Sequence, residues 1–170
     1  MSGLQIIGIK HIPLINSDED LFQIILDAFS KNSIKLVSGD IIVITSKVVS
    51  KAEGRVINLN DFTPSASEKS LANQLHKDPK LLSAILSETK KIIKIKNDIM
   101  ICETSHGFIC ANAGVDQSNV PKGSVSLLPV NPDNSAEEIR VKFLDKLNVN
   151  VAVIITDTFG RPWRNGFVNV

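Results

Sequence analysis

The sequence predicts an α+β fold in which a mixed β-sheet carries hairpins and flanking helices. Two strand-length runs of β-branched and small apolar residues, 41–46 and 151–155, lie far apart in the chain. Helical patterns with capping residues lie between them, and a hairpin pattern occupies residues 99–111. A chain with both helical crossovers and hairpins favours a sheet that mixes parallel and antiparallel strands.

The first half of the chain alternates predicted strands and helices. Residues 4–9 form a predicted first strand, and apolar side chains at three- and four-residue spacing predict a helix over residues 21–29. The run 41–46 predicts a second, buried strand, and residues 56–59 predict a short third one. A pair of helices follows, broken at residues 78–79 because proline cannot continue a helix.

The second half begins with residues 92–95, whose alternating lysines suit an exposed edge strand. Residues 99–103 and 108–111 flank a turn and predict a hairpin. The sequence at 135–138 is a capping box that predicts the start of the last helix. Five consecutive apolar residues at 151–155 then predict a strand buried on both faces.

Composition and charge exclude several classes of protein. The chain has 170 residues with 43% hydrophobic content, enough for one domain with a core. Its 19 basic and 18 acidic residues leave a net charge of +1, so no global field attracts nucleic acid or a membrane surface. Cys102 and Cys110 fit neither a disulfide framework nor a zinc site, so we expect them to be small buried residues. With no signal peptide or membrane-spanning run in the sequence, we expect a cytoplasmic protein.

The stretch 151–164 changes abruptly from apolar to polar and rigid. Asp157 follows the predicted strand, where a carboxylate needs a hydrogen bond, a cation or a metal. Arg161 and Arg164 lie in a short loop that is stiffened by proline. An oxygen ligand beside two anion-binding groups is typical of a phosphate and metal site. The alternative is an aspartate that caps a turn while the arginines stay solvated.

A second polar segment follows the strand predicted at 41–46. If it is a short helix, Lys47 and Lys51 share one face because they are four residues apart, and Ser46 lies at its start. Hydroxyl and ammonium groups near a helix N-terminus suit phosphate oxygens. The alternative is a solvated basic turn. The sequence contains no P-loop and no Rossmann glycine motif, so nucleotide binding requires another architecture.

A third segment, residues 110–119, combines small residues with asparagines and an aspartate. Small residues let the backbone approach a ligand, and Asp116 adds a second hard oxygen ligand that could share a metal with Asp157. The alternative is a surface turn rich in asparagine and aspartate. Nearby, His106 lies in the predicted hairpin turn, and we interpret it as a turn residue and not as a catalyst.

Four stretches together resemble one enzyme family across essentially the whole chain. They are residues 12–15, residues 39–40 together with 45–55, residues 111–120 and residues 156–164. In order and spacing they are similar to the coenzyme F420-0:L-glutamate ligase family, the gamma-glutamyl ligases of deazaflavin coenzyme synthesis. The fold that the resemblance implies is that of these ligases.

The resemblance implies a GTP- and divalent-metal-dependent ligase that adds L-glutamate to coenzyme F420-0 and then elongates the product through gamma-linked glutamates. The implied intermediate is an acyl phosphate. The implied cofactors are Mg²⁺ or Mn²⁺ and K⁺, with GTP as co-substrate. The implied assembly is a cytoplasmic homodimer, without a nucleic-acid or membrane partner.

The resemblance also implies site residues, none of which is a nucleophile or a base. Its metal ligands fall on Asp116, Asp157 and Thr158. We assign Arg161 and Arg164 to the anionic coenzyme tail or to a glutamate carboxylate. The implied nucleotide contacts are Ile12, Pro13, Leu14, Ile15, Ser46, Lys47, Lys51 and Asn119.

The family continues beyond the position that matches residue 170. We therefore expect residues 1–170 to form a single α/β region, an incomplete ligase domain truncated at its C-terminal end that turns over poorly alone. One alternative is a non-catalytic nucleotide-binding or dimerisation fragment of such an enzyme. Another is a related amide-forming or oxidoreductase-fused homologue with a different acceptor, although the sequence has no flavin-binding signature.

Overall fold

The structure is a computed structural model that describes residues 3–159 and 168–170. The helices in this part of the chain are α1 (Leu21–Lys31), α2 (Ser46–Ala52), α3 (Ala66–Gln74), α4 (Pro79–Ser87) and α5 (Pro132–Leu147). The strands are β1 (Ile41–Thr45), β2 (Val56–Asn58), β3 (Thr89–Lys96), β4 (Ile99–Thr104), β5 (Ile109–Ala111), β6 (Ser124–Ser126), β7 (Ala152–Thr156), β8 (Thr158–Phe159) and β9 (Val168–Asn169).

The predicted α+β class is confirmed, and parallel and antiparallel pairing occur in separate small sheets. β1 and β7 form a parallel pair, although more than 100 residues separate them, as expected for strands joined by a long crossover. β2 pairs with β6, β3 with β4, β4 with β5, and β8 with β9, all antiparallel. The predicted hairpin of β4 and β5 is confirmed, and β3 is an edge strand as predicted.

Helices α1, α2 and α5 cover one face of the β1–β7 pair and form the first hydrophobic cluster with it. Phe143 of α5 is fully buried at its centre, and its ring meets that of Phe22 edge to face with centroids 4.8 Å apart. A second cluster joins α3, α4 and β4 around Leu82 and Met100. The β1–β7 pair is therefore held in place by helices on one side.

The prediction that β7 is buried on both faces is wrong. Ile154 of β7 is 47% exposed, and in β1 Ile41 and Val43 are 59% and 62% exposed. Their neighbours Ile42 and Ile44 are buried against the helices. Because successive strand residues point to opposite faces, this alternation means that only the helix-facing side is covered within the described residues.

One predicted strand and one predicted helix start are also wrong. Residues 4–9 form no strand, and the predicted capping box at 135–138 does not begin α5. That helix begins at Pro132 because the side chain of Asn131 accepts a hydrogen bond from the Asn134 amide at 3.0 Å. Proline is favoured at the first helical position, so Asn131 and Pro132 together form the stronger start signal.

Two other predictions are confirmed, the break between the paired helices and the burial of the two cysteines. Asp78 caps α4 by accepting hydrogen bonds from the backbone amides of Lys80 and Leu81, so the helical pair does break at residues 78–79. Cys102 and Cys110 are both buried, as expected, and lie opposite each other on β4 and β5. No helix in the described ranges is both long and apolar enough to cross a membrane.

Candidate functional site

The carboxyl ends of β1 and β7 lie side by side and begin the candidate site. The last residues paired between the two strands are Thr45 and Thr156. Lys47 lies in the first turn of α2, immediately beyond β1, and Asp157 follows β7. Parallel strands expose their carboxyl ends at one edge, where ligands commonly bind in α/β sheets. The sheet thus brings a predicted phosphate-binding residue close to a predicted metal ligand.

Asp116 reaches the same edge from the loop after β5. Its backbone pairs with Ser126 of β6, with N–H to carbonyl distances of 3.1 and 2.8 Å in the two directions. Before it, Gly114 adopts a φ of 76°, and a Cβ atom there would lie 2.9 Å from the side chain of Leu128. Glycine is therefore required both for the left-handed backbone and for the close approach.

The carboxylate of Asp116 lies in a small polar network. The ammonium group of Lys47 donates to this carboxylate, to the Ser118 hydroxyl at 2.7 Å and to the Ser118 carbonyl at 3.0 Å. Ser118 in turn donates its backbone N–H and its hydroxyl to the two carboxylate oxygens, at 2.8 and 2.6 Å. Burial alone would raise the pKa of Asp116, but the hydrogen bonds from Lys47 and Ser118 outweigh it and lower that pKa.

Asp157 has a backbone fixed by two hydrogen bonds, and its carboxylate has no partner among the described residues. Its N–H donates to the carbonyl of Val170 at 3.0 Å, and the Val170 N–H donates back at 2.9 Å. Its half-buried carboxylate makes no hydrogen bond or ion pair with any residue that the structure describes. Within the described ranges, the fold fixes the backbone of Asp157 and leaves its carboxylate unpaired.

Five of the predicted site residues line one cavity of about 320 Å³, which we call the polar cleft. They are Ser46, Lys47, Asp116, Asp157 and Thr158. In the described ranges no group of three or more histidine, cysteine or acidic side chains could hold a metal ion. A cation in the polar cleft would therefore depend on neutral oxygen atoms as well as on the two carboxylates.

The other predicted contacts do not line the polar cleft. Ile15 is buried in the first hydrophobic cluster, and Leu14, in the same predicted nucleotide segment, is 83% exposed. The remaining predicted nucleotide contacts are also absent from the lining of the polar cleft; they are Ile12, Pro13, Lys51 and Asn119. Arg161 and Arg164 lie outside the described residues, so their assignment stays a prediction.

A second, mostly apolar cavity of about 300 Å³ adjoins the polar cleft and shares Ser46, Leu128 and Asp157 with it. His106 lines this second cavity from the turn between β4 and β5, where it was predicted. Its Nε2 atom lies 2.9 Å from the carbonyl of Pro129. That contact ties the hairpin turn to the segment before α5.

Sequence reasoning missed two residues of the polar cleft region. Ser118 orients Asp116 and holds Lys47, and Asn112 lines the cleft wall. The signal for Ser118 was its place two residues after an aspartate, which is the spacing of a side-chain to backbone turn. Nothing in the local sequence distinguishes Asn112 as a ligand-binding residue from an asparagine that only forms a turn.

The fold and the polar cleft define the general class of the protein. It has an α+β architecture without a P-loop, and its cleft lies at the carboxyl ends of a parallel strand pair. An ammonium group, two carboxylates and hydroxyl groups face the same space. Such a donor set suits an anionic ligand that binds together with a cation.

Comparison with known proteins identifies the family. The model of the F420-0:gamma-glutamyl ligase family matches residues 8–170, so the chain belongs to this family. A protein of Methanothermobacter thermautotrophicus named coenzyme F420:L-glutamate ligase is 44% identical over 99% of this chain and 67% of its own length. Proteins of the same name from Methanopyrus kandleri and Methanocaldococcus jannaschii are 43% and 48% identical, over 100% and 78% of this chain.

The chain spans only part of these relatives. It covers 67% of the Methanopyrus protein and 53% of the Methanocaldococcus protein.

Proposed function

We propose that the protein is a ligase of coenzyme F420 biosynthesis that joins L-glutamate to coenzyme F420-0 and extends the product through gamma-linked glutamates. GTP is the co-substrate, and Mg²⁺ or Mn²⁺ is the divalent cation. The proposal also includes stimulation by K⁺, a homodimeric assembly and a cytoplasmic location. It starts from the family membership and from the names of the relatives.

The observation that carries the proposal is the convergence of three distant segments on the polar cleft. Lys47, Asp116 and Asp157 come from three separate stretches of the chain and line one space. Both the ammonium group and the carboxylates are required for GTP and a divalent cation to bind together, because phosphate oxygens need counter-charge from protein and metal.

The residues of the polar cleft fit a divalent cation. Mg²⁺ and Mn²⁺ prefer carboxylate, hydroxyl and carbonyl oxygens, and Asp116, Asp157 and Thr158 supply such atoms. The carboxylate of Asp157 has no partner in the described part of the chain, so it is the side chain there that gains most from a cation. When bound, the cation neutralises charge on the phosphate oxygens.

In the proposed reaction the terminal carboxylate of the acceptor attacks the γ-phosphorus of GTP, and GDP leaves with the electrons of the broken P–O bond. The amine of L-glutamate then attacks the acyl carbon, phosphate leaves, and the amine releases a proton to give the amide. Lys47 binds phosphate oxygens, and Asp116 and Asp157 act as ligands and not as nucleophiles.

Calorimetric titration of GTP into the protein, with and without Mn²⁺ and with ATP as control nucleotide, tests the proposal. We expect saturable GTP binding that requires Mn²⁺ and is weakened about 100-fold in Asp157→Asn. The matched control is Asp145→Asn, an exposed aspartate of α5 whose substitution should leave binding unchanged. In a second experiment, the protein is incubated with GTP, coenzyme F420-0 and L-glutamate, and the GDP released is measured.

Equal binding of GTP and ATP, or binding that ignores Mn²⁺, would contradict the proposed co-substrates. Metal-dependent GTP binding without release of GDP would support the alternative of a non-catalytic nucleotide-binding fragment. Sedimentation of the same sample measures whether it is a dimer.

A further inference from the structure

Asn112 lies in the wall of the polar cleft, and its side-chain oxygen has no partner among the described residues. The Oδ1 atom is shielded from solvent and accepts no hydrogen bond from any residue that the structure describes. Leaving a buried acceptor unsatisfied costs on the order of 1–3 kcal/mol. Such groups are uncommon in native proteins and call for a physical explanation.

The backbone around Asn112 is held firmly in an unusual conformation. Residues 112–114 all have positive φ angles, of 51°, 52° and 76°. Gly114 packs against Leu128, and two residues later Asp116 is paired with Ser126. The turn that presents Asn112 is therefore fixed relative to Asp116 by contacts on both sides of the chain.

The side chain itself is not held by the protein through its oxygen. Because the carboxamide oxygen makes no hydrogen bond, turning it about the side-chain bonds toward the cleft breaks none. The group that lacks a partner is an acceptor, so its natural partner is a donor or a cation.

We infer that the Asn112 carboxamide is a neutral oxygen ligand for the divalent cation of the polar cleft. This inference rests on the proposed function. Divalent cations take about six oxygen ligands, and amide carbonyl groups are common among them. The described cleft offers only the carboxylates of Asp116 and Asp157 as charged ligands, so a neutral oxygen adjacent to them meets a need of the site.

The test is calorimetric titration of Mn²⁺ alone into the wild-type protein and two variants. In Asn112→Gly the oxygen is lost while the positive φ angle remains acceptable, and we expect Mn²⁺ to bind about tenfold more weakly. In Asn112→Asp a carboxylate replaces the amide, and we expect Mn²⁺ to bind more tightly than to the wild type. Both residue types tolerate the left-handed backbone better than alanine does.

The matched control is Asn97→Gly. Asn97 also has a positive φ angle, of 48°, but lies exposed in the turn between β3 and β4, away from the polar cleft. Its substitution should leave Mn²⁺ affinity unchanged. Thermal unfolding of every variant establishes that it is folded, and the Asn112→Asp result decides the matter if Asn112→Gly does not fold.

The outcomes separate this inference from the proposed function. If Mn²⁺ binds the wild type through Asp157 but both Asn112 variants match the wild type, the inference is overturned and the proposed cation site stands. If the variants instead lose only affinity for L-glutamate, Asn112 accepts from the substrate ammonium group and the inference is overturned. If the wild type binds no Mn²⁺, the proposed cation site and this inference both fall.

Discussion

The two aspartates of the polar cleft differ in how the protein treats their charge. Asp116 receives hydrogen bonds from Lys47 and Ser118, whereas the Asp157 carboxylate has no partner among the described residues. The backbones of both are fixed by pairs of hydrogen bonds. The difference teaches that the fold stabilises one carboxylate itself and leaves the other to a ligand. Substitutions should therefore separate stability from binding.

The largest expected effect is the weakening of Mn²⁺-dependent GTP binding in Asp157→Asn, which we compare with Asp116→Asn. Because the Asp157 carboxylate makes no hydrogen bond or ion pair with the described residues, its substitution should change the free energy of unfolding by less than about 0.5 kcal/mol. It should weaken Mn²⁺-dependent GTP binding about 100-fold, since even the loss of a group that only orients a metal ligand costs 10–100-fold in metal affinity. Urea unfolding and calorimetry on the same samples measure the two quantities.

Asp116→Asn should lower both quantities. The carboxylate is 46% exposed, so solvent screening limits the stability loss to about 1 kcal/mol. Equal stability of the two variants would contradict the proposed division of roles.

A large stability effect is expected at Gly114, which sets the approach of the loop to Asp116. Gly114→Ala combines an unfavourable φ of 76° with a Cβ atom 2.9 Å from Leu128, and we expect a loss of about 2–3 kcal/mol. The control is Gly39→Ala, where φ is 99° but no atom lies within 4 Å of the added Cβ, so only the backbone cost applies. Losses of equal size would show that packing on Leu128 is unimportant.

Lys47→Met should have an intermediate effect, and it should raise the affinity for Mn²⁺ where the aspartate substitutions lower it. Removing the ammonium group frees the Asp116 carboxylate, so Mn²⁺ alone should bind more tightly. A partly exposed ion pair is worth about 1 kcal/mol, which corresponds to roughly fivefold in affinity. The affinity for GTP should fall, because a phosphate-binding cation is lost. Calorimetry with each ligand separately checks both signs, and a weaker affinity for Mn²⁺ would contradict the competition.

The smallest effect is expected from Ser118→Ala, and it should depend on pH. The folded protein lowers the pKa of Asp116 below its ordinary value of 3.8, so the stability from this carboxylate is present above that value and is lost as pH falls through the lower folded pKa. Removing the two Ser118 contacts that involve the hydroxyl should cost about 0.5–1 kcal/mol at pH 6.

That cost should shrink when urea unfolding is repeated below the folded pKa of Asp116. Ser105→Ala, at an exposed turn position, is the control and should show no pH-dependent difference from the wild type. A cost that stays constant with pH would mean that Ser118 acts independently of the Asp116 charge.

The sequence predicted the parts of the fold and site that depend on local chemistry. Asp157 and Lys47 follow strand-like runs, so their place at the carboxyl ends of β7 and β1 followed from position alone. The burial of β7 was wrong because a run of β-branched residues cannot tell how many layers cover a sheet. The start of α5 was wrong because two competing capping signals lie within eight residues of each other.

The less visible residues of the site depend on distant contacts. Nothing near Asn112 in the chain indicates that its oxygen lacks a partner, because that follows from the packing of residues around it. Likewise, the pairing of Lys47 with Ser118 joins positions 71 residues apart, so no local pattern could indicate it.

The position of Leu128 links the volumes of the two cavities. Leu128 lines both cavities, and its carbonyl accepts a hydrogen bond from Arg55 Nε at 3.1 Å, so its backbone is anchored at the border of the two spaces. Protein interiors are close-packed and compress little. We therefore expect that a ligand that displaces the Leu128 side chain from one cavity reduces the volume of the other.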